Sequence, residues 1–370
     1  MILSKKVRIL PTTEQEHKLW QSAGTARFIY NWTLAKQEEN HKKGGKFISD
    51  NALRKDITAL KKNAFSWLNE VSNNVAKQAV KDACDAYKKF FKGLSAFPKF
   101  KSRKRSKPSF YNDNIKLKVK EKLVLIEKIG WIKTSEQIPM DVKYTNPRIS
   151  YDHKYWYISV GIEQSEIKEP LTDVALGIDL GLKELAVCSN GDVYKNINKT
   201  FAVRKIEKRL KRLQKQVSKK YENNKKGKEF VKTRNIIKLE KQIQLLHRRL
   251  ANIRKNYLHQ TTTSIVKTKP CKIVIEDLNV KGMMKNRHLS ASIGKQCFHE
   301  FRRQIAYKAK FRGIELVIAD RFYPSSKMCS LCGNIKKDLK LKDRIYNCKC
   351  GFTIDRDVNA SINLSRYELA

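Results

Sequence analysis

The chain has 370 residues, enough for two or three domains with a sizeable buried core. Its 79 lysines and arginines outnumber its 36 aspartates and glutamates, which gives a net charge of +43. A few charges would keep a protein of this size in solution, so this excess indicates a polyanionic partner, either DNA or a long RNA. No apolar run reaches membrane-spanning length and the N-terminus has no signal-peptide core, so we expect a cytoplasmic protein without membrane contact.

Residues 2–10 predict a strand, and the residues that follow predict a small helical bundle. Thr13 and Glu16 have the spacing of a capping box at the start of a first helix. Apolar residues at helical spacing then predict three helices between residues 13 and 92. These patterns place an all-helical segment directly after the first strand.

A basic segment with interleaved aromatic residues comes next. No acidic residue interrupts it, so it can follow a phosphate backbone while its rings stack on bases. A solvated basic linker is the alternative interpretation. The candidate nucleic-acid contacts are Phe97, Lys99, Phe100, Lys101, Arg103, Lys104 and Arg105.

The pattern changes to β-structure at about residue 110 and to α/β structure after Pro170. In the first part, apolar side chains such as Trp156, Ile158 and Val160 alternate with polar ones, which predicts an antiparallel sheet or small barrel that includes the first strand. Beyond Pro170, short runs rich in branched residues predict buried strands, the last of them preceded by a helix. The predicted strands are 174–180, 184–188, 271–275 and 314–319.

A long basic segment with two heptad seams interrupts the α/β part of the chain. Residues 201–255 contain 20 lysines and arginines against four glutamates. Apolar residues step by three and four within 206–217 and again within 236–253, and the polar stretch 221–228 between them predicts a turn. We therefore expect a helical hairpin with one apolar seam and basic outer faces that contact nucleic acid.

Three carboxylates lie at the ends of apolar segments. Asp179 ends one predicted strand, Glu276 follows another, and Asp357 lies in the first turn of a predicted helix. Converging carboxylates are the hard ligands that Mg²⁺ requires, and two such ions about 4 Å apart can hydrolyse a phosphodiester. Each acid alone would be an ordinary turn or capping residue, but together they predict a two-metal site that Asp179 bridges. We expect Asp355 to cap the helix and Asp277 to lie beside the ligands.

Four cysteines precede the third carboxylate with the spacing of a zinc ribbon. They form the pairs Cys329-x-x-Cys332 and Cys348-x-Cys350, each followed by a glycine, and the second pair is one residue shorter than usual. Four thiolates leave no open coordination position, so the pattern predicts a structural Zn²⁺. A pair of disulfides is the alternative, and it conflicts with a cytoplasmic location.

These segments also carry a family resemblance. Residues 177–183, 275–279 and 355–363 resemble the three RuvC motifs of the TnpB (OrfB) family of insertion-sequence proteins, and residues 326–333 resemble that family's zinc ribbon. Two N-terminal segments also resemble family motifs, namely 27–32 and 97–101. The short second cysteine pair is the one departure.

The resemblance implies an α/β and β multidomain fold. Its parts would be an RNase H-like (RuvC) nuclease domain with an inserted basic helical hairpin and zinc ribbon, and an N-terminal β-barrel (the wedge) interrupted by a helical recognition bundle. The expected order is wedge 1–12, recognition bundle 13–105, wedge 106–170, nuclease 171–322 with the hairpin at 201–258, zinc ribbon 323–351 and nuclease 352–370.

The resemblance further implies a transposon-encoded, RNA-guided DNA endonuclease of a bacterium or archaeon, associated with the nucleoid. A guide (omega) RNA would pair with one strand of a double-stranded target DNA while the protein reads a short adjacent motif. The implied cofactors are two Mg²⁺ or Mn²⁺ ions held by Asp179, Glu276 and Asp357, and one structural Zn²⁺, with one protein per RNA. The alternatives are a strand-transfer transposase, a guided repressor that does not cleave, and a basic zinc-ribbon RNA-binding protein. Retention of all three acids argues against the last two.

Overall fold

The computed structural model describes residues 1–167, 169–227, 229–340 and 343–368. Six residues lie outside this description, namely 168, 228, 341, 342, 369 and 370. Lys228 is the last residue of the predicted turn, and residues 369–370 end the predicted nuclease segment. The chain divides into two compact units, Met1–Gln164 and Ser165–Ala370. The finer division into six segments stays a prediction.

The first unit combines a seven-stranded antiparallel sheet with three helices. Its strands are β1 (Ile2–Leu10), β2 (Ser109–Tyr111), β3 (Lys118–Lys120), β4 (Leu123–Ile126), β5 (Gly130–Thr134), β6 (Tyr144–Tyr151) and β7 (Trp156–Glu163). Its helices are α1 (Thr13–Lys42), α2 (Asp50–Lys62) and α3 (Asn73–Phe91), with a 3₁₀ turn at Ser66–Glu70.

The first strand lies in the middle of this sheet, whose strand order is β2-β6-β7-β1-β5-β4-β3. The three helices are therefore inserted between β1 and the rest of the sheet. Trp156, Ile158 and Val160 are buried, as their alternation predicts, and they share one apolar cluster with Leu19 and Ala23 of α1. No pairing among the described strands joins the edges β2 and β3, so closure into a barrel is not confirmed.

The capping box of α1 is shifted by one residue from the predicted pair. Thr12 caps the helix instead of Thr13, accepting a hydrogen bond from the backbone N–H of Gln15 (3.3 Å), while the Thr12 N–H donates to Gln15 Oε1 (3.1 Å). Both pairs have the required spacing. The observed pair also lets the Gln15 amide donate to the carbonyl of Trp131 in β5 (2.9 Å), a tertiary contact that local sequence does not reveal.

The second unit contains a five-stranded mixed sheet, two small hairpins and six helices among its described residues. Its strands are β8 (Thr172–Leu180), β9 (Glu184–Cys188), β10 (Val193–Lys195), β11 (Lys225–Lys226), β12 (Glu229–Phe230), β13 (Pro270–Glu276), β14 (Glu315–Ala319), β15 (Ile345–Asn347) and β16 (Thr353–Asp355). Its helices are α4 (Phe201–Asn223), α5 (Arg234–Lys267), α6 (Val280–Met283), α7 (Ser290–Gln296), α8 (Phe298–Phe311) and α9 (Arg356–Ser365).

The main sheet of this unit has the order β10-β9-β8-β13-β14. Strands β8, β13 and β14 are parallel, whereas β9 and β10 run antiparallel to their neighbours. The carboxyl ends of the parallel strands β8 and β13 therefore meet at one edge, which is where ligands bind in open α/β sheets.

The predicted helical hairpin is present as α4 and α5, whose seam buries Val203, Ile206 and Leu210 against Leu250. Its connection differs from the predicted turn because the short hairpin β11–β12 joins the helices. Helix α5 also continues to Lys267, past the expected end at residue 258, because its last turns pack into the apolar core of the main sheet. Within the described ranges, no helix combines the length and apolarity needed to cross a membrane.

Candidate active site and metal centre

Two of the three predicted acids lie side by side at the end of parallel strands. The register pairs Ile178 of β8 with Ile275 of β13, so the next residues, Asp179 and Glu276, are neighbours at the carboxyl edge. The two carboxyl groups lie close enough for each to act on the pKa of the other. The chain thus brings together two acids that are almost a hundred positions apart in sequence.

Their surroundings strongly favour the protonated forms when no cation is bound. Both side chains keep a partly exposed edge but are surrounded by protein atoms. Burial, followed by the negative charges of Glu276 and Asp357, holds the pKa of Asp179 well above its usual range. Burial also raises the pKa of Glu276 to about 7, although a hydrogen bond from the Leu180 backbone acts in the opposite direction. A divalent cation would relieve this repulsion, so the donor set fits Mg²⁺ or Mn²⁺.

Helix α9 brings the third acid to the same edge by packing directly on β8. Gly177 makes this packing possible, since a Cβ at that position would lie 2.0 Å from the Ser361 carbonyl oxygen and 2.3 Å from the Ser365 nitrogen. Any larger residue would collide with the helix backbone. Gly177 is two positions before Asp179, so this close approach sets the distance between the strand acid and the helix that carries Asp357.

Asp355 caps α9 as predicted and leaves Asp357 free of that task. The Asp355 carboxylate accepts hydrogen bonds from the backbone N–H groups of Asp357 (2.9 Å) and Val358 (3.2 Å). Asp357 is half-buried and pairs with the guanidinium of Arg356 at 3.2 Å. The charge of Asp357 acts on the pKa of both strand acids, which places it near them.

Asp277 belongs to a different set of contacts from those of Glu276. Its carboxylate accepts a hydrogen bond from Arg302 (3.0 Å) and another from Arg321. These two guanidinium groups, Arg321 first, hold the pKa of Asp277 below its usual range. Asp277 therefore remains ionised beside the strand end and anchors two arginines there.

The four predicted cysteines converge on one point. Their sulfur atoms all lie within 4.8 Å of one another, with Cys329–Cys350 at 3.9 Å and Cys332–Cys348 at 3.5 Å. Tetrahedral zinc with Zn–S bonds of about 2.3 Å requires sulfur separations of about 3.8 Å, so the donor set fits a four-thiolate Zn²⁺ site. The thiols interact strongly without metal: the backbone N–H of Cys350 lowers the pKa of Cys348 to about 6, whereas the pKa of Cys332, lowered by the Asn334 backbone but raised by the other sulfurs, rises to about 12.

The shorter second cysteine pair is accommodated by its turn. Gly351 has a φ of +87°, which non-glycine residues rarely adopt, and its N–H donates to the Cys348 carbonyl (3.1 Å). Gly333 has a φ of +74° after the first pair. The hairpin β15–β16 closes the ribbon, and its last residue, Asp355, is also the cap of α9.

Two buried asparagines of α9, which sequence reasoning did not identify, lock this helix to the ribbon. The Asn359 amide donates to the Met328 carbonyl (2.7 Å) and accepts from the Ser330 N–H (3.0 Å). The Asn363 amide donates to the carbonyls of Met328 and Ser325, both at 2.7 Å. Their spacing of four residues on a helix face that also buries Ala360 and Leu364 is a signal that could have revealed them. The ribbon thus holds the helix of Asp357 in place.

The basic aromatic segment offers an exposed surface with one exception. Phe97 and Phe100 are about half exposed, at 48% and 54%, and the cationic side chains of residues 103–105 face solvent. Lys101 is engaged instead: its Nζ lies 3.6 Å from the centre of the Tyr30 ring, and its backbone N–H and carbonyl both bond to Asn31 at 2.8 Å. Lys101 therefore anchors the segment to α1, and its predicted nucleic-acid contact stays untested.

Comparison with known proteins matches three parts of the chain to family models. Residues 157–287 match a family described as "Probable transposase", residues 298–364 match "Cas12f1-like, TNB domain", and residues 1–46 match "Helix-turn-helix domain". In this structure the last range contains β1 and the single long helix α1, followed by the turn after it.

Curated relatives and solved structures match almost the whole chain. The protein named "Putative RNA-guided DNA endonuclease InsQ" of Escherichia coli K12 is 34% identical over 97% of this chain and 90% of its own length. A Streptomyces pristinaespiralis protein named as the same kind of endonuclease is 30% identical over 99% of this chain and 89% of its own. A Cas12f1–sgRNA–target DNA complex shares the fold with a TM-score of 0.59 at 16% identity, covering 95% of this chain and 82% of the Cas12f1 chain.

A second solved structure, the mini-RNA-guided endonuclease Cas-phi3, has a TM-score of 0.53 at 10% identity, covering 99% of this chain and 92% of its own. Both likenesses show a mixed α/β fold shared with these proteins. Together with the full-length relatives, they establish that the chain belongs to the TnpB (OrfB) family of insertion-sequence proteins, which is related to the type V CRISPR effectors.

Proposed function

We propose that this protein is an RNA-guided DNA endonuclease that cuts double-stranded DNA at a site formed by Asp179, Glu276 and Asp357. The single observation that carries the proposal is the convergence of these acids from two parallel strands and one helix. Burial and mutual repulsion oppose the ionisation of the two strand acids, and groups with pKa values shifted in this way are concentrated at functional sites. Full-length relatives with endonuclease names support the reaction class.

The strand order of the main sheet supports an RNase H-like, RuvC-type nuclease domain. The parallel strands β8, β13 and β14 form its core, and the antiparallel strands β9 and β10 lie on one side. Helix α9 crosses β8, so the candidate acids lie at one edge of the sheet. We further propose that the first unit's sheet is the wedge and that α1–α3 form the recognition bundle. These parts would grip a guide RNA, its duplex with DNA and an adjacent motif, as the net charge of +43 favours.

Each site residue has a distinct task in this proposal. The carboxylates of Asp179, Glu276 and Asp357 would hold the divalent cations. Two bound Mg²⁺ or Mn²⁺ ions supply an activated water and stabilise charge on the leaving oxygen. Arg356 forms an ion pair with Oδ1 of Asp357 (3.2 Å), and this contact would help to orient the carboxylate.

The zinc ribbon serves structure rather than chemistry in this account. Four thiolates would saturate one Zn²⁺ and leave no open position for a substrate. The metal would fix the segment from Met328 to Ser330, and that segment bonds to Asn359 and Asn363 of α9. Zinc would therefore support the position of Asp357 from a distance.

The proposal is tested by purifying the protein from cells that carry its native locus. We expect one dominant co-purified RNA that ends in a variable segment, and cleavage of duplex DNA that matches this segment when Mg²⁺ is present. Chelation of Mg²⁺ should stop the cleavage, and Asp179→Asn should abolish it while leaving RNA binding unchanged.

Glu315→Gln provides a matched control because Glu315 is an exposed carboxylate at the opposite end of the parallel strands. This variant should cut at the wild-type rate. Co-purification of only heterogeneous cellular RNA would contradict guidance. Joining of donor DNA ends in the absence of RNA would favour the strand-transfer transposase instead.

A further inference from the structure

The loop that follows Asp179 is held by side chains from outside the loop. The carbonyls of three successive residues, 181–183, each accept a hydrogen bond from a different side chain. The donors are the amides of Gln296 (2.8 Å) and Asn196 (2.9 Å) and the ammonium group of Lys199 (2.9 Å). Because this loop joins β8 to β9, these bonds fix the chain direction directly beyond the acid.

Gln296 is the most buried of these donors, with only 3% of its surface exposed. It ends α7, and the next residue, Cys297, has a φ of +57° in the left-handed region. This conformation is unfavourable for a non-glycine residue, so it occurs where tertiary contacts hold the residue in place, often at functional sites. The strained turn directs the Gln296 amide to the carbonyl of Gly181.

The same amide belongs to a network that reaches the base of the helical hairpin. The Asn198 amide donates to Gln296 Oε1 (3.3 Å) and accepts from Arg254 Nε of α5 (2.7 Å). Arg254 donates to Glu207 of α4 (2.9 Å), and Lys295 donates to the other oxygen of Glu207, also at 2.9 Å. A continuous chain of polar contacts therefore joins both hairpin helices to the loop beyond Asp179.

We propose that Gln296 is a positioning residue for Asp179, and that Asn198, Arg254 and Glu207 couple the helical hairpin to the active-site loop. A nucleic acid that binds the basic faces of α4 and α5 and shifts one helix against the other changes the Arg254–Glu207 contact. The change passes through Asn198 to Gln296 and so to the loop. The catalytic consequence rests on the proposed function, but the positioning itself does not.

Amide hydrogen exchange of the purified full-length chain tests the positioning without reference to cleavage. Loss of the Gln296 amide leaves the Gly181 carbonyl without its partner, so Gln296→Ala should accelerate exchange in residues 181–185 about tenfold. Gln216→Ala, an exposed glutamine of α4 outside the network, should leave that exchange unchanged. Unchanged exchange in Gln296→Ala, with a folded protein, would overturn the proposal.

A second variant keeps the test decisive if Gln296→Ala does not fold. Asn198→Asp keeps an acceptor for Arg254 and removes the N–H that donates to Gln296. It should accelerate exchange in residues 181–185 by less than Gln296→Ala does, while α2 exchanges at the wild-type rate. Wild-type exchange in the loop of this variant would likewise contradict the network.

The coupling to the hairpin is tested by a double-mutant cycle on guided cleavage. Gln296→Ala and Arg254→Ala should each slow single-turnover cleavage about 10- to 100-fold, with guide-RNA affinity unchanged, because both misplace the same loop. If they act through one network, the double variant should be within about twofold of the slower single variant. If the rate losses of the two single variants multiply in the double variant, the coupling is refuted. A wild-type protein that does not cut would refute the proposed function instead, and the exchange experiment would still decide the positioning.

Discussion

Gly177 provides a sharp test of how the proposed active site is assembled. Replacing it with alanine adds one methyl group on the face of β8 that α9 covers. That Cβ would lie 2.0 Å from the carbonyl oxygen of Ser361, 2.3 Å from the nitrogen of Ser365 and 2.9 Å from the carbonyl carbon of Leu364. All three are helix backbone atoms, so no side-chain rotation can relieve the clash.

The expected magnitude follows from these distances. Ordinary contacts of this kind need at least about 3.0 Å, so α9 must move away from β8 by about 1 Å. Overpacking of this size lowers the free energy of unfolding by about 1–3 kcal/mol. Misplacement of a catalytic group by about 1 Å costs roughly 100-fold in rate. Gly177→Ala should therefore slow guided DNA cleavage about 100-fold while the protein remains folded at moderate temperature.

Single-turnover cleavage of a matched DNA duplex, with guide-RNA affinity measured in parallel, checks this expectation. Gly294→Ala is the matched control, because a Cβ there meets only the terminal carbon of Met284, at 3.9 Å. The control should cut at close to the wild-type rate, and both variants should bind RNA normally. Wild-type cleavage by Gly177→Ala would refute the idea that close packing of α9 on β8 sets the third acid in place.

Four further expectations concern single groups of the site and surface. Without metal, the free energy of unfolding should fall as the pH rises from about 4.5 to about 7, because the pKa of Glu276 is about 7 in the folded protein and an ordinary 4.5 in the unfolded chain. The thermal midpoint should therefore decrease with pH across this range, and it should decrease less steeply in Glu276→Gln. Asp357→Ala should abolish cleavage, whereas Asp355→Ala removes a helix cap and should lower the free energy of unfolding by only about 1 kcal/mol. If Asp355→Ala abolishes cleavage and Asp357→Ala does not, the wrong aspartate was assigned. Cys329→Ser should lower the bound zinc below one per chain by metal analysis and accelerate amide exchange in α9, and a protein that never contains zinc would contradict the ribbon site. Arg103→Ala should reduce the slope of log RNA affinity against log salt by about one, and an unchanged slope would remove this residue from the contacts.

The parts of the candidate site that depend on local pattern could be located from the sequence. Asp179 and Glu276 were recognisable because each ends an apolar run of branched residues, and the cysteines were recognisable by their spacing. Burial on both faces of parallel strands produces such runs, so strand ends and the acids on them can be located without a structure. The helical hairpin followed from its heptad seams in the same way.

Features that depend on contacts between distant residues were not predictable. Gly177 lies inside the predicted strand 174–180, and its local pattern does not reveal that α9 packs on it. Gln296 contacts a carbonyl 115 positions away. The predicted cap, Thr13, was wrong by one residue, because Thr12 and Thr13 both have a suitable partner three residues later. The contact with Trp131 decided that choice, and it is a tertiary interaction.

The central claim is that Asp179, Glu276 and Asp357 share a divalent-cation site. Anomalous diffraction from crystals of the guide-bound protein soaked in Mn²⁺ tests it most directly. The account predicts strong anomalous peaks within bonding distance of the Asp179 and Glu276 carboxylates, at least one of them also within bonding distance of Asp357. Crystals with Mn²⁺ bound elsewhere and no anomalous peak beside Asp179 and Glu276 would contradict it.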